Sequence, residues 1–226
     1  MRSWASRVDT CVIDEPFYAH YLQQTGYDHP GAAEIIDHYE TDWRRVVDRL
    51  LANGVGEAIF YQKHMTQHML EHIDRSWLLQ VSNCFLIRDP HRMLKSFAKV
   101  IPNPRLDQTG LPQQVELFNY VRTASGKAPP VIRARDVLLN PEASLRGLCE
   151  ALDLAFDPAM LRWRAGRHPS DGIWAKHWYG SVERSTGFEP YMEDASPLPA
   201  HLKDMLDECQ ALYEQMAPYC ISETAR

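Results

Sequence analysis

The stretch FLIRDPHRMLKSF, residues 85–97, decides the fold. An apolar run ends in Arg88, Asp89 and Pro90, and a helical segment, HRMLKSFAKV, begins directly behind the proline. Strand end, turn and helix start follow one another here. In open α/β sheets that junction, outside the carboxyl ends of the strands, is where ligands bind.

Three further runs of the same kind surround it. TCVIDEP at 10–16, AIFYQKHM at 58–65 and PPVIRARDV at 129–137 join NCFLIRDP at 83–90 as predicted strands, each ending in a polar or turn cluster. Their near-continuous apolar character suits strands covered on both faces, as in a parallel sheet flanked by helices. Between them lie predicted helices. Residues 32–52 carry Ile35, Ile36, Tyr39, Trp43, Val46, Val47 and Leu50 near a 3.6 period. A second runs over 111–125 with Pro112 in its first turn, and a third starts from Asn140 as cap and Pro141 as first helical residue, burying Leu145, Leu148, Cys149 and Leu152. An amphipathic helix over 199–216 closes the chain, and residues 165–190, rich in Gly, Trp, His and Ser without clear periodicity, are predicted as a long loop. Alternating strands and helices place the chain in the α/β class, as one domain over residues 1–226.

Composition narrows the function. The 226 residues carry a formal net charge of -6, against the basic surface that DNA or RNA requires, so nucleic acid is not an expected partner. Five scattered cysteines with no CxxC pair read as free thiols in a reducing compartment. No apolar run approaches the ~18 residues of a membrane span and the first residues lack signal-peptide order, so the expectation is a cytoplasmic protein without a membrane partner.

At the strand–helix junction of residues 85–97, Arg88 offers a bidentate fork for a phosphate, and Ser96, two turns into the helix, offers a hydroxyl. The structural alternative is an Arg88 paired with a carboxylate and a Ser96 on plain helix surface. Arg88-Asp89-Pro90 followed by Ser96 resembles the 3′-phosphate-binding motif of sulfotransferases that use 3′-phosphoadenosine 5′-phosphosulfate (PAPS). DEPFYAHYL, YQKHM, GLPQQVELF, VIRARDVLLNPE and DGIWAKHWYGSVERSTGF extend the likeness to bacterial sulfotransferase-family proteins over nearly the whole chain. The resemblance implies a P-loop-type (P-loop nucleoside triphosphate hydrolase-like) fold, PAPS as co-substrate, no metal, a small-molecule acceptor, and Arg88 with Ser96 on the cofactor's 3′-phosphate. Homo-oligomerisation is left open.

Sulfuryl transfer needs a base for the acceptor's proton and a cation for the charge developing on the leaving phosphate. His64 and Lys63, at the end of the second predicted strand, suit those jobs, as residues at a corresponding strand end do in the family, where they are spaced by one residue rather than adjacent. Neighbours in a strand point to opposite faces, which favours His64 over Lys63. Asp14 and Glu15 end the first predicted strand, so at least one carboxylate should reach the ligand edge, and Glu15-Pro16 resembles the Glu-Pro after the equivalent strand of some carbohydrate sulfotransferases, which implies Glu15 as the second candidate base; an acidic helix cap around Pro16 is its structural alternative. His64, His68 and His72 recur at intervals of four, a pattern for metal if the segment were helical, but no further ligand is evident and His68 and His72 read better as a partly exposed polar helix face. In the late segment Arg164, Arg167 and Lys176 stand where the family closes a basic loop over the nucleotide, and Trp174 or Trp178 is either an acceptor-stacking ring or core.

The family's 5′-phosphosulfate loop, a phosphate cradle at a helix N-terminus, is not evident. There is no GxxxxGK[ST]; GVGEAIF lacks the Lys-Ser/Thr ending, and GKAPP lacks the spacing and the hydroxyl. MRSW resembles the body of the family's first helix, so the expectation is a chain lacking the N-terminal strand and that loop, with transfer impaired. The alternatives are a non-catalytic nucleotide-binding or interaction module, or a P-loop kinase or hydrolase.

Overall fold

All four predicted runs form strands in the computed structural model, which describes residues 1–52, 58–194 and 196–221. Along the chain come α1 (Arg2–Ala5), β1 (Thr10–Asp14), α2 (Tyr18–Thr25), α3 (Ala32–His38), α4 (Trp43–Leu51), β2 (Ile59–Lys63), β3 (Phe85–Ile87) and α5 (Pro90–Phe97). They are followed by α6 (Leu111–Ser125), β4 (Val131–Arg133), α7 (Ala134–Leu139), α8 (Pro141–Ala151), α9 (Ala175–Trp178), α10 (Gly180–Arg184) and α11 (Lys203–Met216). The strands pair in parallel as two two-stranded sheets, β1 with β2 and β3 with β4. Residues 54–57, the first four of GVGEAIF, lie outside the described residues.

Three segments depart from the sequence reading. Residues 32–52 form two helices rather than one, because Tyr39 is extended and a new cap follows: the Asp42 carboxylate accepts from Arg44 N–H, and Glu40 accepts from Asp42 N–H. PPVIRARDV is strand only to Arg133, after which the chain turns helical. The predicted loop over 165–190 contains the short helices α9 and α10. Elsewhere local signals hold: α6 spans 111–125, and the Asn140 side chain accepts from Ala143 N–H ahead of Pro141.

The chain divides into two compact units, Met1–Trp77 with Asp157–Phe188, and Leu78–Phe156 with Glu189–Arg226. The first has a core of Tyr18, Ala19, Tyr21, Leu22, Ile35 and Trp174. Trp174 is 2% exposed, and burying so large a ring contributes at most about 4 to 6 kcal/mol of transfer free energy. The second unit packs α5, α6 and α11 around Leu94, Leu111, Leu198, Leu202 and Cys209.

Candidate active site

In the first unit the site starts from strand register. Pairing of β1 with β2 runs from Thr10 opposite Ile59 to Asp14 opposite Lys63, so a carboxylate and an ammonium meet where both strands end. The next residue, Glu15, donates its N–H to the Lys63 carbonyl at 2.8 Å and then turns the chain with φ 41°, a conformation L-residues rarely adopt. Its carbonyl in turn accepts from Tyr18 N–H at 3.0 Å, leading into α2. Non-glycine residues held this way cluster at functional sites.

Four side chains converge there. The Lys63 ammonium donates to Glu15 Oε1, lies 3.4 Å from Asp14 Oδ1, and donates to the Tyr179 hydroxyl at 3.0 Å. Tyr179 Oη sits 2.9 and 2.8 Å from the two Asp14 oxygens and 3.2 Å from Glu15 Oε1. Asp14 and Glu15 are both buried, so one cation faces two carboxylates. Burial works to lower the Lys63 pKa, but Glu15 and Asp14 together raise it, and the ammonium stays charged. Glu15 is pushed up, by burial first and also by the negative charge of Asp14, against the opposing pull of Lys63. Lys63 is held charged, and burial, helped by Asp14, outweighs its pull and raises the proton affinity of Glu15.

His64, just past the end of β2, goes elsewhere. Its ring lies against Phe17 and Trp77, at 5.7 and 5.6 Å between centroids, with Nε2 3.2 Å from Gln62 Oε1. Lys63 and His64 thus enter different surroundings, as strand alternation predicts. Burial, and then the nearby Lys63 charge, lowers the His64 pKa to about 4, leaving the ring neutral at pH 7. His68 is not on an exposed helix face as predicted. The helix is replaced by a short 3-10 turn, and His68 is 3% exposed, stacked on Tyr18 at 4.6 Å, with Nδ1 3.9 Å from Glu15 Oε2. His72 faces His20, Nε2 to Nε2, at 2.9 Å. The three histidines of the interval-of-four pattern therefore have three separate environments.

The late segment is tied to this unit rather than left open. Arg2 pairs with buried Asp171 at 2.7 Å and donates to Gly166 O at 3.1 Å, while Gly172 N–H points to Asp14 Oδ2 at 3.5 Å. Trp174 is core; Trp178 is half-buried, edge-on to His29 at 5.9 Å. Lys176 pairs with Glu34, and Arg164 and Arg167 are exposed.

In the second unit Arg88 is the residue after β3, exposed and with no hydrogen-bond or ion-pair partner among the described residues. The structural carboxylate pairing considered from sequence is not what Arg88 makes. Burial, then Arg92, lowers its pKa from the ordinary guanidinium value, with Asp89 opposing. Asp89, the neighbouring carboxylate, caps α5 by accepting from Arg92 N–H at 2.9 Å. Ser96 is exposed on α5.

Glu15 and Lys63 are marked in the sequence by their places at strand ends, whereas Tyr179 and His68 join the group only through packing. No local pattern marks Tyr179. Asp14 carried a signal in its place at the strand end, shared with Glu15.

The family model for the sulfotransferase domain matches residues 1–219. Two Arabidopsis thaliana proteins, branched-chain-amino-acid aminotransferase-like proteins 1 and 2, are 36% and 33% identical over 213 residues, 94% of this chain. The chain spans 38% of the length of each. Among solved structures, the sulfotransferase domain from the Synechococcus PCC 7002 olefin synthase is similar over 94% of this chain and 95% of its own, at 15% identity and a TM-score of 0.52, a likeness of fold.

Proposed function

The chain belongs to the sulfotransferase domain family, and from that premise we propose that it moves a sulfuryl group from PAPS to an acceptor hydroxyl or amine. Membership implies a sulfate donor; the choice of PAPS rests on Arg88 and Ser96, which would clamp the 3′-phosphate through charge-assisted hydrogen bonds. Glu15 is the base in this reading. It takes the proton of the acceptor as the acceptor atom bonds to sulfur and the sulfur–oxygen bond to the donor's phosphate breaks, releasing 3′,5′-adenosine bisphosphate.

The observation that carries the reading is the Asp14–Glu15–Lys63–Tyr179 group at the ends of β1 and β2. A carboxylate raised above its ordinary pKa is a better proton acceptor near neutral pH than a histidine lowered to about 4, so Glu15 takes precedence over His64. Lys63 holds Glu15 in place and supplies the positive charge expected beside the reaction. The aminotransferase-like designation belongs to the longer plant proteins and is not carried over.

Calorimetric titration with 3′,5′-adenosine bisphosphate tests the donor half. Arg88→Ala is expected to weaken binding by about tenfold or more, and Ser96→Ala by less. An undiminished affinity in Arg88→Ala rejects the clamp. Glu15→Gln tests the acceptor half by loss of transfer with binding retained.

A further inference from the structure

We propose that the Tyr179 hydroxyl is a positioning residue: it holds Glu15 between Asp14 and Lys63 and carries the docking of the late segment to the group that takes the proton. The inference rests on the reading of Glu15 as base.

The hydroxyl reaches every charged member of the group, at 2.8 and 2.9 Å from Asp14, 3.2 Å from Glu15 and 3.0 Å from Lys63. A phenol has one proton to give and two lone pairs. Lys63 donates to a lone pair, so the single proton is left for the two carboxylates, Asp14 at 2.8 and 2.9 Å and Glu15 at 3.2 Å, and steadies the negative charge of both. Glu15 then keeps Lys63 as its strong partner and remains available to an acceptor. Lys63 also lies 5.5 Å from the Tyr179 ring centroid, which fixes the ammonium from a second side.

Tyr179 comes from the segment that also supplies Asp171, paired with Arg2, and Gly172, directed at Asp14. Seating that segment therefore delivers the hydroxyl. The other titratable groups facing Glu15 are Asp14 beside it, Lys63 from β2, His68 after β2 and Tyr18 from α2. His68 is held neutral by burial and Tyr18 is raised by burial, so near pH 7 the charge on Glu15 answers to Asp14, Lys63 and the Tyr179 hydroxyl.

Carbon-13 NMR of glutamate-labelled protein reads the Glu15 carboxyl directly, with Glu15→Gln assigning its resonance. Tyr179→Phe takes away a hydrogen bond to the carboxylates and is expected to move the Glu15 midpoint upward by about one pH unit. Asp14→Asn takes away a neighbouring negative charge and is expected to move it downward. A Tyr179→Phe midpoint that stays put or falls overturns the proposal. Should Tyr179→Phe not fold, 3-fluorotyrosine in place of tyrosine, whose phenol is the stronger donor, decides: the Glu15 midpoint is expected to fall, and one that stays put or rises overturns the proposal. These titrations involve no turnover, so they are distinct from failure of the base assignment, which would appear as transfer retained in Glu15→Gln.

Discussion

Glu15 and Lys63 are joined twice: the backbone N–H of Glu15 donates to the Lys63 carbonyl at 2.8 Å, and the Lys63 ammonium donates to the Glu15 carboxylate. The first bond continues the parallel ladder by one residue past β1. The second closes a ring through the side chains, which is compatible with the left-handed backbone of Glu15 and gives that conformation a reason to persist.

Replacing the cation should expose the cost of two buried carboxylates side by side. Lys63→Met is expected to destabilise the protein by about 3 kcal/mol at pH 8, because breaking a buried pair leaves an uncompensated charge. Glu15, already raised by burial, takes up a proton on acidification, so the deficit should shrink at pH 5. Urea unfolding at the two pH values checks this; an equal deficit at both would refute it.

Histidine burial predicts acid lability. The folded-state pKa of His64 is about 4 against 6.5 for a free histidine, so the unfolded chain binds the proton first. Its stabilising contribution is complete above pH 6.5 and is lost as pH falls from 6.5 to 4. His68, His29 and His20, all lowered chiefly by burial, act in the same direction. His64→Phe, which keeps a ring against Phe17 and Trp77, is expected to flatten the dependence of stability on pH in that window by about 1.4 kcal/mol per pH unit. Denaturant midpoints across the range give the slope, and a slope equal to that of the parent would count against it.

Gly172 lies directly against the Trp174 ring, so close that an added Cβ would overlap it. Trp174 is fully enclosed and cannot swing aside. Gly172→Ala is expected to cost about 1 to 3 kcal/mol by overpacking, and to loosen the segment that carries Tyr179. Thermal unfolding measures the first effect, and tryptophan fluorescence of the buried ring the second.

Asp153 follows α8 with φ 57°, its N–H bonded to Glu150 O and the next N–H to Cys149 O. Helices commonly end on a glycine in this conformation. Asp153→Gly should therefore stabilise the protein by about 1 kcal/mol, read as a rise in urea midpoint without a change in slope.

The four strands, the 111–125 helix and the Asn140-Pro141 helix start were legible in the chain because each depends on a few adjacent residues: an apolar run, a capping side chain, a proline. Arg88 was legible for the same reason, through its place between a strand and a helix. The continuous helix over 32–52 was misread because Asp42 offers a cap that competes with the apolar period.

The candidate site divides along the same line. That Asp14 and Glu15 end one strand and Lys63 another was determined by sequence alone, since strand ends are set locally. Which of them meet was decided only by the tertiary structure. The β1–β2 register sets Asp14 opposite Lys63, residues far apart in the chain, and a packed segment brings Tyr179 to Asp14 across 165 positions. Register and packing are sums over many distant contacts, of which no short stretch carries a record. His68 makes the same point: its spacing suggested an exposed face, and burial against Tyr18 and Tyr21 placed it beside Glu15 instead.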